Sequence, residues 1–394
     1  MLCEHMLLED VLCEDILLEI LLRLPVASLM RFKCVSKYFQ SLILDPCFVT
    51  MHLQNSRRST NFFLRYLNGD KTSWFVVPSP ITSIEDSTSF FDDDIIHASK
   101  DNVLGSFNGL VCLGEWNEKG IVFYLWNPVT KEEFGNLTLT KKDNVAMLGF
   151  GYDNSRHTYN VVAIVYHLNS DHPFRTFIGS LNDESGWREI QGFLADPFIV
   201  EGDGIYLNNT LNWLGIPNYN DYEYDDIAIS FDGVVIASLD LETETYTQML
   251  LPHELNGVFI RDFCYLCEEL HSNEFPLIGV LGGCLSLFLH NRRTKCFSIW
   301  QMKEFGNQKS WTLLLNTSLQ DLGINTNIYS ILLPLCMIEN DRDIVIIHSS
   351  LQDCVKQIII YDLKNNTVTF RNITQNLLWI YPFNYVESLV CPVA

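Results

Sequence analysis

Residues 12–48 read Leu12-Cys-Glu-Asp-Ile-Leu-Leu-Glu-Ile-Leu-Leu-Arg-Leu-Pro-Val-Ala-Ser-Leu-Met-Arg-Phe-Lys-Cys-Val-Ser-Lys-Tyr-Phe-Gln-Ser-Leu-Ile-Leu-Asp-Pro-Cys-Phe48. From Glu14 to Leu24 the stretch is built of good helix formers. Ile16, Leu17, Ile20, Leu21 and Leu24 fall at the one- and four-residue spacings of a helix face. Leu18 and Leu22 widen the stripe, so the helix has to be covered on more than one side. Glu14, Asp15 and Glu19 lie near its start, where negative charge complements the helix dipole. Pro25 stops the helix, because the residue before a proline is pushed out of the helical region. A second helix fits Ala27 to Lys33, with Leu29, Met30 and Phe32 apolar. A third fits Ser36 to Leu44, with Phe39, Leu42 and Ile43 on one side, and Asp45-Pro46 ends it. Three short helices bury too little surface to hold a private core. Apolar residues on several faces at once are the pattern of a module that a partner completes.

Helix, Leu-Pro break, basic second helix and Asp-Pro stop, in that order, resemble the F-box. The resemblance implies docking on a Skp-type adaptor, which bridges to the cullin and RING subunits of a ubiquitin ligase. It implies that Leu12, Glu14, Ile16, Ile20, Leu24, Pro25, Leu29, Phe32, Cys34, Val35, Leu42 and Ile43 face the adaptor or form the module core. The sequence does not separate those two roles. Two positions depart from the family pattern. Cys13 stands where a proline is usual, and Phe39 where the third helix usually carries tryptophan. The alternative is an ordinary helical cap on the domain that follows.

The chain has 394 residues, enough for two or three domains. Hydrophobic residues make up 47% and charged residues 19%, which supports a large core and excludes a disordered chain. No apolar run reaches the roughly 18 residues of a membrane span. The acidic N-terminus does not resemble a signal peptide. The 12 cysteines are scattered through apolar runs, such as Cys112, Cys284 and Cys336, and read as reduced buried thiols of an intracellular protein. Cys264 and Cys267 form a lone CxxC with His271 nearby and no fourth ligand, so no metal and no cofactor is expected. The net charge is −22, about −19 of it beyond residue 52. Phosphate binding needs a positive surface, so nucleic acid is excluded as a partner. A basic protein fits the charge; acidity that serves only solubility fits it as well.

From about residue 60 the chain reads as β. Apolar and β-branched runs alternate with Gly, Asn, Asp and Pro turns, as in Gly109-Leu-Val-Cys-Leu, Val161-Val-Ala-Ile-Val-Tyr, Val234-Val-Ile-Ala-Ser-Leu and Gln357-Ile-Ile-Ile-Tyr. An apolar strand, a short polar turn and an aromatic-bearing strand recur. The turn markers are Asn127, Asn182, Asp240, Asn291 and Asp362. A period near fifty residues is that of kelch-type propeller blades, and a propeller removes the exposed edges of many short strands. About six degenerate blades are expected; a β-sandwich or barrel of repeated hairpins is the alternative.

Gly105-Ser-Phe-Asn-Gly-Leu-Val-Cys-Leu113, Leu125-Trp-Asn-Pro-Val-Thr130, Leu148-Gly-Phe-Gly-Tyr-Asp153, Leu211-Asn-Trp-Leu214, Ile299-Trp-Gln-Met-Lys-Glu-Phe305 and Tyr385-Val-Glu-Ser-Leu are among the stretches that resemble the F-box-associated domain of plant F-box proteins. In that family the second domain holds the substrate, and the pollen S-locus F-box proteins, which recognise basic ribonucleases, share the layout. The resemblance thus implies an α+β multidomain protein with a three-helix F-box at 8–52, a linker with the first β elements at 53–99, and a mainly-β, propeller-like substrate domain at 100–394. It implies a non-catalytic substrate receptor of an SCF-type ligase in the cytoplasm or nucleus, with a protein target.

Enzyme chemistry finds little support in the residues. Asp92-Asp93-Asp94 and the acidic run Asp221 to Asp226 place carboxylates side by side, not at the separation of an acid/base pair. His97, His157, His167 and His253 have no paired Ser or Cys motif, and no P-loop or dinucleotide fingerprint is present. The acidic, tyrosine-rich run reads as a solvated loop or as a target contact through Tyr219, Tyr222, Tyr224 and Asp225, since tyrosine is enriched in interfaces. A stand-alone propeller binder or propeller enzyme, capped by the N-terminal helices, is the competing reading.

Overall fold

The computed structural model describes residues 14–56, 61–68, 71–77, 95–96, 101–140, 144–167, 174–182, 185–193, 196–197, 203–217, 230–263, 277–291, 293–324, 330–338, 343–350, 356–372 and 379–391. Four helices come first: α1 (Glu14–Leu21), α2 (Val26–Phe32), α3 (Lys37–Ile43) and α4 (Pro46–Ser56). The sequence led us to expect three, with Asp45-Pro46 as the end. The same pair also begins α4. The Asp45 carboxylate accepts the Cys47 and Phe48 amides at 2.8 and 3.2 Å, and proline is favoured in a first helical turn, where its missing N–H costs nothing. At α3, the Ser36 hydroxyl accepts the Phe39 amide. Leu17, Leu21, Leu22, Val26, Leu29, Phe39, Ile43 and Phe48 make one buried cluster between the helices.

The strands form six antiparallel sheets among the described residues. Blade 1 begins with β1 (Asn61–Asn68), β2 (Lys71–Val77) and β3 (Ile95–Ile96), all within the 53–99 segment. Blade 2 holds β4 (Asp101–Phe107), β5 (Leu110–Asn117), β6 (Gly120–Trp126) and β7 (Glu133–Thr140). Blade 3 holds β8 (Asn144–Asp153), β9 (Thr158–Tyr166), β10 (Phe174–Ser180) and β11 (Trp187–Glu189). Blade 4 holds β12 (Asp196–Pro197), β13 (Ile205–Leu207), β14 (Thr210–Ile216), β15 (Val235–Asp240) and β16 (Thr245–Leu250). Blade 5 holds β17 (Leu277–Leu281), β18 (Cys284–Asn291), β19 (Cys296–Met302) and β20 (Trp311–Ser318). Blade 6 holds β21 (Ser330–Ile338), β22 (Asp343–Ser350), β23 (Lys356–Asp362) and β24 (Thr367–Asn372). The last strand, β25 (Trp379–Tyr385), pairs with β1 and completes blade 1.

The inner strands touch in the order β25, β4, β8, β13, β17, β21 and back to β25. This closes a six-bladed propeller. Its cores lie between blades, as the side-chain period of two requires. In β9, Val161, Ala163 and Val165 pack in a cluster with Leu110 and Phe123 of blade 2. Val162 and Ile164, one residue out of phase, pack with Trp213 and Ala237 of blade 4. This is why β9 reads as a continuous apolar run. Outer strand β16 is buried at Tyr246, which packs toward blade 3, and at Met249, which packs toward blade 5, but not at the residues beside them.

The repeat marker is a hairpin device. Asn127, Asn182, Asp240, Asn291 and Asp362 are each followed four residues later by a residue at positive φ, Lys131, Gly186, Glu244, Lys295 and Asn366, and Asp153 with His157 repeats the device between β8 and β9. In the Asp240 and Asp362 turns the carboxylate accepts the amides two and three residues on. Asn127, Asn182, Asp240 and Asp362 stand between the last two strands of their blades, whereas Asn291 stands between the second and third of four. That shift explains the uneven spacing of the markers.

Candidate functional site

The helical module is the place where the fold leaves apolar surface uncovered. Eleven large hydrophobic residues are exposed among the described residues, and six of them lie in α1–α4 and their turns: Ile16, Ile20, Phe32, Val35, Leu44 and Met51. Val35 is 67% exposed and Ile16 52%. Their neighbours in sequence do the opposite: Leu17 and Leu21 face the core, and Leu29 and Ile43 are fully buried. Such concentration on about forty residues is the mark of a protein-docking surface. Around it the polar residues are locally satisfied or solvated; Arg23 meets Glu19 at 3.4 Å across one exposed turn, a pair worth about 0.3–0.5 kcal/mol.

The structure divides the residues singled out from the sequence. Ile16, Ile20, Pro25, Phe32, Cys34 and Val35 are exposed. Leu29 and Ile43 are core, and Leu24 and Leu42 pack on the core while half-buried. Leu12 and Cys13 lie outside the described residues, and of Glu14 only the backbone is described. Phe39 is a core residue, tilted against Phe32 at 5.6 Å and edge-on to Tyr38 at 5.8 Å. Leu44 and Met51 were missed; Met51 lies on α4, whose helical pattern was cut short at Pro46.

A groove of about 670 Å³ between blades 5 and 6 is lined by Asn316, Ser318, Asp321, Tyr361, Asn366 and Phe370 among others. It offers hydrogen-bonding groups and one carboxylate, Asp321, which accepts the Ser318 hydroxyl at 2.6 Å as part of a turn in which Ser318 accepts the Asp321 amide. His157 contacts the Tyr152 hydroxyl at 3.1 Å in a β-turn, and His253 lies beside Glu254 at 3.2 Å on the surface. Asp153 is structural: burial pushes its carboxyl up, but bonds from Ser155 and Arg156 outweigh this and hold it below the usual range. Tyr219, Tyr222, Tyr224 and Asp225, the Asp92–Asp94 run, His97, and the Cys264/Cys267 pair with His271 lie outside the described residues. Cys112 and Cys336 are buried thiols, whereas Cys34, Cys47 and Cys391 are exposed. No described helix is long and apolar enough to cross a membrane.

Comparison with known proteins gives concordant results. A family model described as the F-box domain matches residues 10–50, and one described as the F-box associated beta propeller domain matches residues 78–391. An F-box/kelch-repeat protein of Arabidopsis thaliana is 29% identical over 313 residues, 76% of this chain and 77% of that protein. The Arabidopsis F-box protein CPR1 is 24% identical over 318 residues, 75% of this chain and 70% of that one. Among solved structures, TolB from Acinetobacter baumannii aligns at a TM-score of 0.45 with 10% identity, over 83% of this chain and 66%, just under two thirds, of that one.

Proposed function

The chain belongs to the F-box-associated β-propeller family and carries an F-box ahead of the propeller, and from that premise we propose that it is the substrate receptor of an SCF-type ubiquitin ligase. The observation that carries the reading is the uncovered apolar face of a folded helical module. In this role Ile16, Ile20, Pro25, Phe32, Cys34 and Val35 meet a Skp-type adaptor, and through it the cullin and RING subunits. Leu24, Leu29, Leu42 and Ile43 hold the helices that present them. The propeller holds a protein target, which is marked with ubiquitin and degraded. The gain is positional: a bimolecular encounter between target and loaded enzyme becomes effectively intramolecular. The role asks for no catalytic residue from this chain. The net charge of −22 favours a basic target, and Tyr219, Tyr222, Tyr224 and Asp225 are the contacts we assign to it.

Co-expression with a plant Skp-type adaptor tests the docking. The wild-type chain is expected to co-purify with the adaptor one to one. Ile20→Asp and Val35→Asp, which alter exposed positions, are expected to lose the adaptor with the melting temperature unchanged. A wild-type chain that stays soluble and ignores every adaptor tried would overturn the reading.

A further inference from the structure

Three stretches that carried the family resemblance meet in one place. They are Asn108-Gly109 in the turn between β4 and β5, Asn127 at the end of β6, and Ser388-Leu389 just beyond β25. Asn127 is fully buried. Its Oδ1 accepts the Val129 and Thr130 amides at 3.0 and 3.3 Å, which shapes its own turn. Its Nδ2 donates to the carbonyls of Ser388 and Val390 at 3.1 and 2.9 Å, across 261 and 263 residues. Ser388, also fully buried, donates its hydroxyl to the Asn108 carbonyl at 2.7 Å. Gly109, at φ +79°, leaves room for it; a Cβ there would collide with the Ser388 side chain.

Residue 389 then points the other way. Leu389 is buried in the helical cluster with Leu17, Leu29 and Ile43, and Val129, from the Asn127 turn, packs on the same cluster. The F-box therefore draws part of its core from the chain's far end and from blade 2.

We propose that residues 386–391 are a strap that locks the F-box onto blade 2, with Asn127, Ser388 and Leu389 as positioning residues that fix the adaptor face relative to the propeller. The value of such a fixed joint rests on the receptor reading, because a target must be held at a set reach from the transferring enzyme; the joint itself does not rest on it. The choice of residue at 127 supports the strap. Asp240 and Asp362 occupy the same turn position in blades 4 and 6, so an aspartate suffices for the turn. At 127 two carbonyls face the side chain, and only the amide of asparagine supplies the donors.

Asn127→Asp separates the two jobs. It keeps the acceptor for the turn and replaces two donors by a carboxylate against carbonyls. Leu389→Ala leaves the strap's hydrogen bonds in place and removes only the contact to the helices. In the full-length chain, both are expected to speed hydrogen exchange in α1–α4, and Asn127→Asp in 386–391 as well. Exchange in blades 3 to 5 is expected to stay at wild-type rates, and small-angle scattering to show a larger radius of gyration. Leu389→Ile is expected to restore wild-type behaviour. Wild-type exchange and radius in both variants would overturn the proposal, and should Asn127→Asp fail to fold, Leu389→Ala decides it alone. The readout uses no adaptor, so a chain that binds none refutes the receptor reading and leaves the strap testable.

Discussion

His52 is a buried polar side chain in an apolar helical cluster, 2% exposed. Its Nε2 donates to the Leu24 carbonyl at 2.8 Å, and the Ser56 hydroxyl donates to its Nδ1 at 3.3 Å. The end of a helix leaves carbonyls without partners, and the Leu-Pro break leaves one at Leu24 under α4. His52→Leu keeps an apolar side chain of similar reach and strands that carbonyl. The variant is expected to lose about 1–3 kcal/mol from the helical module, read as faster hydrogen exchange in α1–α4. An unchanged exchange profile would mean that water replaces the bond. At this scale the sequence was half legible. It identified Ile20 and Leu21 as apolar, but one is exposed and the other buried. Which of them water meets depends on how short helices cross, and no local spacing records that. Asn127 was legible as a turn residue only. Its two distant carbonyls left no local trace, beyond the use of asparagine where two sister turns use aspartate.

Tryptophans stitch neighbouring blades. Trp187 donates to the Thr138 carbonyl, Trp213 to that of Leu148 and Trp311 to that of Leu250, each across a blade boundary at 2.9–3.1 Å. Arg188 and Glu244 add an ion pair between blades 3 and 4. Trp213 fills its site so closely that a methyl at Gly204 would come 2.5 Å from the indole ring. Gly204→Ala is therefore expected to cost about 1–3 kcal/mol through overpacking, measured as a lower midpoint in urea. A wild-type midpoint would show that the ring can shift without loss. The elements themselves were largely legible. Asx turns divide the β region in sequence, and the six expected blades are six sheets. What misled was context: Pro46 ends one helix and begins the next, and Asn291 marks a turn one strand out of phase. A local signal names a turn without naming its place in a blade.

The whole molecule is a ring joined by strands from opposite ends of the chain. β25 lies inside blade 1, between β1 and the inner strands β4 and β21. Removing residues 379–394 would uncover three strands at once, and bare strand edges invite aggregation. The truncated chain is expected to be insoluble on expression; a soluble, folded product would mean that five blades and a partial sixth can close by themselves. The strap runs on directly from β25, so the same deletion takes Leu389 from the F-box core. This has a consequence for synthesis. A ribosome adds about 5–20 residues per second, so the helices emerge some tens of seconds before the strand and the leucine that complete them. Throughout that interval the nascent chain has neither a closed ring nor a seated F-box. On the receptor reading proposed above, nonsense alleles late in the gene are expected to behave as simple losses of function.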